Sequence, residues 1–156
     1  MSRELLEAAF GNAVRAYQTA VDNFYQAMAD HIGLNRTDAR CADLIDQAGG
    51  MTAGELARAA GLTTGAVTAV VDRLEKAGIA QRVPDPSDRR RVRIEATPKL
   101  WEDSEPLLGP LLAESQPIVD DLTDSEITRF TEFMNRVIEL QARHTERVRA
   151  LPKRSY

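Results

Sequence analysis

Between residues 63 and 93 lie seven basic side chains, Arg73, Lys76, Arg82, Arg89, Arg90, Arg91 and Arg93, against four acidic ones, Asp72, Glu75, Asp85 and Asp88. The segment therefore carries +3 in a chain of formal net charge −4, which leaves −7 on the rest. Clustered guanidinium groups suit phosphate oxygens, because affinity for nucleic acid comes from Lys and Arg displacing counterions. Thr63, Thr64 and Thr68 stand at and just after the start of the same segment. Their short hydroxyls can meet phosphates or base edges if they lie on the first turns of a helix, whose free amides also favour anions. Other chemistry has little to work with. Cys41, His31 and His144 are the only soft metal ligands, and no glycine-rich phosphate loop or Ser/His/Asp set is present. The expectation is a protein that is not an enzyme and holds no metal or cofactor.

The 156 residues, 43% hydrophobic and 28% charged, suit one compact domain or one domain with an oligomerisation extension. No apolar run reaches membrane-spanning length, so no membrane partner is expected. The segment from Met1 to Phe10 carries Arg3, Glu4 and Glu7 where a secretory signal would need an apolar stretch. A single cysteine forms no internal disulfide, and a cytoplasmic location is the natural expectation.

Several elements must position the basic segment. Leu6, Phe10, Val14, Tyr17, Val21, Phe24 and Met28 recur every three or four residues, which predicts a long amphipathic helix from Glu4 to about Asp30, ended by Gly33. Asn35 is placed to cap a second helix running to about Asp46, with Cys41, Ala42, Leu44 and Ile45 facing inward. After the Gly49-Gly50 break, Thr52-Ala53-Gly54-Glu55 reads as a capping box, flanked by Met51 and Leu56 as a hydrophobic staple. The helix it opens is short, because Gly61 follows Ala60. Thr63 is placed to cap a fourth helix with Val67, Val70, Val71 and Leu74 as its buried stripe, and Gly78 supplies a left-handed stop. The period then changes to two, so residues 81–83 and 91–96 read as strands around a turn-rich loop, Pro84-Asp85-Pro86-Ser87-Asp88. Thr97-Pro98 reads as a cap followed by proline in the first helical position. Pro106, Pro110 and Pro117 predict kinks or breaks between Trp101 and Leu122. Thr123-Asp124-Ser125-Glu126 is a second capping box, opening a helix striped by Ile127, Phe130, Met134, Val137 and Ile138.

Two short helices joined at Gly61-Leu62-Thr63 and followed at once by a basic hairpin make a winged helix-turn-helix. The fold class is mainly α with a small β-hairpin wing. At this point the chain resembles the MarR family of transcriptional regulators. The resemblance rests on Val71-Asp72-Arg73-Leu74-Glu75, the wing Asp85-Pro86-Ser87-Asp88-Arg89-Arg90, and the exit Ala96-Thr97-Pro98-Lys99. The sequence departs at Leu100, where many relatives have glycine, and in the proline-rich stretch. The resemblance implies a homodimer formed by residues 1–33 and 98–156, a DNA-binding lobe over 34–97, a palindromic double-stranded operator, and a small aromatic or amphipathic effector.

Under that resemblance Thr63, Thr64 and Thr68 face the major groove, and Arg73 matches a position that anchors phosphate and steadies the motif. Asp88 and Arg90, two apart, are expected to pair so that the guanidinium extends into the minor groove. Arg82, Arg89 and Arg91 are expected as further DNA or supporting contacts. Tyr17, Phe24, Tyr25, His31 and Trp101 are the candidates for an effector pocket, against the plainer reading that they pack a core or dimer interface. Two other functions compete with the dimeric repressor. One is a winged-helix module for protein contacts, and the other an oxidant-sensing repressor that uses Cys41, a residue read here as an inert packing side chain.

Overall fold

A computed structural model describes residues 2–86, 88 and 90–152 of the chain. Six helices and one hairpin follow in order: α1 (Arg3–His31), α2 (Arg36–Gln47), α3 (Ala53–Ala60), α4 (Thr64–Lys76), β1 (Ala80–Pro84), β2 (Val92–Ala96), α5 (Pro98–Asp120) and α6 (Asp124–Arg149). Contacts divide the chain into two compact units, Met1–Leu108 and Gly109–Tyr156.

In the first unit the expected caps form. Asn35 accepts the amide of Asp38 at the start of α2, and Thr52 and Glu55 close their reciprocal box at the start of α3. Gly61 ends α3 in the left-handed region (φ 70°), which a residue with Cβ enters only at a cost, so the chain turns at once into α4. Gly78 does the same after α4, and the amide of Ile79 returns to the carbonyl of Leu74 at 2.9 Å. These stops pack Ile45, Leu56, Val67, Val70, Val71 and Leu74 into one core with Cys41, Ile79 and Ile94. The helix-turn-helix is thus held by short apolar side chains that let α2, α3 and α4 approach closely.

The hairpin is antiparallel, pairing Ala80 with Ala96, Arg82 with Ile94 and Pro84 with Val92. A further bridge, absent from the sequence reading, joins Met51 to Ile94 through both backbone bonds, so the wing is anchored to the segment before α3. Val92 is on the strand face of Ile94 yet exposed, because its pair with Pro84 adjoins the loop, at the end of the hairpin away from the buried Ala80. Thr97 precedes Pro98 as expected, but its hydroxyl donates to the carbonyl of Gly78 and thereby ties the hairpin exit to the end of α4.

Of the kinks or breaks expected in α5, no break occurs: the helix runs from Pro98 to Asp120. Pro106, Pro110 and Pro117 are four and seven residues apart, which puts all three on one face. That face is exposed, as are Glu102, Pro106 and Ala113, whose carbonyls lose their helical donors and are left open to solvent.

In the second unit Thr123 and Glu126 form their capping box, and α6 follows. α6 buries no residue: Phe130, Met134 and Ile138, each four apart, form an exposed apolar stripe. Among the described residues no helix is long and apolar enough to cross a membrane.

Candidate nucleic-acid interface

α4 buries Val67, Val70, Val71 and Leu74 and turns Thr64, Gly65, Thr68 and Ala69 to solvent. Thr63 is the cap: its hydroxyl accepts the amide of Ala66 at 3.3 Å. Thr68 donates to the carbonyl of Thr64 at 3.1 Å, leaving its oxygen as an outward acceptor. The exposed face is therefore short, with hydroxyls and bare backbone but no long side chain near its N-terminus. Such a surface lets a phosphate or a base edge come close to the helix.

Arg73 sits on the next turns and is held from an unexpected direction. Its Nε and Nη2 donate to Oδ2 and Oδ1 of Asp38, both at 2.7 Å, in a two-pronged pair. Asp38 is buried and also accepts from Nδ2 of Asn35, while the Arg73 side chain remains 50% exposed. Asp38 was missed by the sequence reading. Its only local signal was a carboxylate in the first turn of α2, which helix capping alone would explain.

Arg82 shares the inner face of the hairpin with Ala80 and Ile94, because side chains alternate along a strand. From there it reaches α4. Its Nη2 donates to Asp72 Oδ1 at 2.8 Å, its Nη1 to Glu75 Oε2, and its amide to Glu75 Oε1 at 2.9 Å. These bonds hold its guanidinium more firmly charged than usual, the bond to Asp72 first among them. Arg82 is thus a brace between wing and helix. The alternation that puts Arg82 on the face of Ala80 was the signal that could have found this.

At the wing tip Asp88 and Arg90 do meet, but not as two side chains. The Asp88 carboxylate accepts the backbone amide of Arg90 at 3.0 Å, and its carbonyl accepts the amide of Arg91 at 2.8 Å. An acceptor two residues before an amide closes a tight turn, which is why the carboxylate is taken by backbone rather than by guanidinium. Arg90 and Arg91 are exposed and form no close ion pair among the described residues, although Arg91 lies near enough to Glu55 to favour its charged form. Arg89 lies outside the described residues, as does Ser87. Arg93 is turned inward: its Nη2 donates to the carbonyls of Gly49 and Gly50 at 3.0 and 2.6 Å, clamping that turn.

Of the aromatic candidates, Tyr25 and Trp101 line one cavity of about 100 Å³ within the unit Met1–Leu108. Phe24 packs edge-on against Tyr25, with ring centroids 6.0 Å apart. Phe24, Tyr17 and His31 lie outside the cavity lining, and Tyr17 and His31 are exposed. Met28, Ile32, Asp43, Asp46, Leu100 and Leu108 are lining residues that the aromatic pattern did not reveal. Leu100, the departure from the usual glycine, fills the wall between this cavity and the core. Cys41 is fully buried, and its burial pushes the thiol above its usual value, with Asp38 adding to the shift.

A model described as the MarR family matches residues 34–92 of the chain. The Bacillus subtilis (strain 168) protein YcgE, described as an uncharacterized HTH-type transcriptional regulator, is 38% identical over 148 residues, which cover 95% of this chain and 96% of that protein. A MarR family protein from Bacillus stearothermophilus has a similar fold, with a TM-score of 0.66 at 19% identity over 91% of this chain and 99% of that one. A mutant of MepR from S. aureus, solved bound to an oligodeoxyribonucleotide, has a TM-score of 0.54 at 16% identity over 85% of this chain and 97% of that one.

Proposed function

The chain belongs to the MarR family of winged helix-turn-helix transcriptional regulators, DNA-binding proteins and not enzymes, and from that premise we propose a homodimeric repressor of a palindromic operator, released by a small ligand. The observation that carries the reading is the pairing of a bare, hydroxyl-bearing α4 face with a wing whose Arg90 and Arg91 are exposed and form no close ion pair among the described residues, Arg91 having only the longer-range attraction of Glu55. α4 supplies the major-groove element through Thr63, Thr64 and Thr68, and the wing supplies Arg89, Arg90 and Arg91 to the backbone and minor groove. Arg73 serves both as a strut and, through its exposed edge, as a phosphate contact. With so few long side chains on α4, sequence discrimination leans on the wing, half-site spacing and DNA shape.

The dimer is supported by apolar surface that a single chain leaves in water. On α1 these are Leu6 and Tyr17, and on α6 Phe130, Met134 and Ile138. Segments 1–33 and 98–156 would bury them against a second copy across a two-fold axis. Two recognition helices must then lie about 34 to 36 Å apart to enter successive major grooves on one face of DNA. The cavity lined by Tyr25 and Trp101 is the candidate effector site, and a ligand that fits one separation better than another shifts the equilibrium by that difference in affinity. The test is a gel-shift titration with palindromic DNA from the protein's own promoter. A specific complex of one dimer per site is expected, and a folded dimer that gives no specific shift at moderate salt would overturn the reading.

A further inference from the structure

The cavity between α1, α2 and the start of α5 has apolar walls, and the only charged groups in its lining are Asp43 and Asp46. Both come from α2, where residues three apart share a face. Each carboxylate is half engaged. Asp43 Oδ2 accepts from Gln47 at 2.8 Å, and Asp46 Oδ1 accepts the indole N–H of Trp101 at 3.0 Å. Asp43 Oδ1 and Asp46 Oδ2 have no side-chain partner among the described residues, although a carboxylate offers about four acceptor positions. Asp43, which is exposed, also lines an adjoining hollow together with Arg36 and Arg40, where Arg36 is paired with Asp22 at 3.2 Å.

We propose that this cavity selects a positively charged ligand, a single aromatic ring bearing an alkylammonium group. The inference rests on reading the cavity as the effector site and names the ligand class that site takes. A space of about 100 Å³ is somewhat smaller than the roughly 150 Å³ cavity that takes a benzene ring, so a single ring would fill it and the alkylammonium would lie at its mouth. The ring would lie among Met28, Ile32, Leu100 and Leu108, and the ammonium would donate to the open oxygens of Asp43 and Asp46. Tyr25 and Trp101 add aromatic surface, which attracts cations. An aryl carboxylate of the same shape would meet two negative groups with no cation in the lining to offset them.

Trp101 is the one tryptophan of the chain and lies in the cavity wall, so its emission reports occupancy directly. The full-length protein is titrated with 2-phenylethylammonium, 2-phenylethanol and 3-phenylpropanoate. The amine is expected to bind about tenfold tighter than the alcohol, the order that two partly solvated ion pairs supply, and the propanoate no tighter than the alcohol. Asp43→Asn should reduce the advantage of the amine over the alcohol. Equal affinities for amine and alcohol, a preference for the propanoate, or an amine preference that survives Asp43→Asn combined with Asp46→Asn would overturn charge selection. Failure of all three probes to bind would overturn both charge selection and the cavity reading. An amine preference without release of operator DNA would uphold the selection and overturn only the effector reading.

Discussion

Arg73 of the recognition helix grips Asp38 of α2 with two hydrogen bonds of 2.7 Å across 35 residues of sequence. The carboxylate is buried and the guanidinium is half exposed, so one face of the arginine holds α4 while the other remains open to a ligand. A planar fork suits this double role, because two of its donors can be spent on a carboxylate and others remain for phosphate.

Removing the buried partner separates the two roles. Asp38→Asn should lower the thermal midpoint by roughly 5 °C, since it strips charge from a bidentate pair in a chain of this size. Arg73→Lys should do nearly the same, because an ammonium lacks the planar fork that meets both carboxylate oxygens in parallel. Thermal unfolding of the two variants checks this, and an unchanged midpoint in both would remove the pair as a strut.

Arg82 offers a sharper distinction. If it braces the wing through Asp72 and Glu75, Arg82→Ala and the double variant Asp72→Asn/Glu75→Gln should weaken operator binding by similar factors. A phosphate contact would behave differently: the arginine variant would lose affinity, whereas removing two negative charges would increase it. Paired binding isotherms at two salt concentrations decide between them.

The wing tip carries the electrostatic prediction. Arg90→Ala should weaken binding at least about tenfold and lower the slope of log affinity against log salt by about one, with dimerisation unchanged. Asp88→Ala should also weaken binding, through the turn that its carboxylate closes on the Arg90 amide. Fluorescence anisotropy over a salt series measures both effects, and an unchanged affinity for Arg90→Ala would take the wing out of the mechanism.

Cys41 should not behave as an oxidant sensor. The thiolate is the reactive form, and burial together with Asp38 pushes the thiol the wrong way for it to form. Peroxide treatment of the folded protein should leave operator binding unchanged, and a thiol reagent should react only on unfolding. Peroxide-driven release that disappears in Cys41→Ala would reinstate the sensor.

Acid sensitivity should trace in part to the capping boxes. The amide and hydroxyl of Thr52 hold Glu55 below its usual value of 4.5, and the hydroxyl and amide of Thr123 do the same for Glu126. Because the folded values are lowered, this stabilisation is complete above the carboxyl range of the unfolded chain. It is lost as pH falls through the folded values. Glu55→Gln with Glu126→Gln should therefore flatten the fall of the thermal midpoint between about pH 5 and pH 3 relative to the parent. An acid limb of identical steepness in both proteins would show that the boxes contribute nothing.

What the sequence determined by itself was local. Asn35, Thr52, Thr63 and Thr123 marked four helix starts, and Gly61 and Gly78 marked two stops. In each case the capping group and the backbone it serves lie within about four residues, so the interaction is written in adjacent letters. The basic segment and its hairpin were legible for the same reason, since charge and period need no knowledge of distant partners. Tertiary structure decided what these residues hold. Asp38 under Arg73, the Gly49-Gly50 carbonyls under Arg93, and the meeting of Trp101 with Asp46 join segments distant in sequence, and Asp72 and Glu75 meet Arg82 only because the hairpin folds back on α4. The three prolines of α5 read as helix breakers by a local rule, yet they share one exposed face, where the carbonyls that lose their donors are open to solvent, and the helix continues through them. A basic side chain announces its charge in the sequence. Whether that charge is free for DNA or already bound to a carboxylate depends on which strand face it occupies and what the fold has brought beneath it.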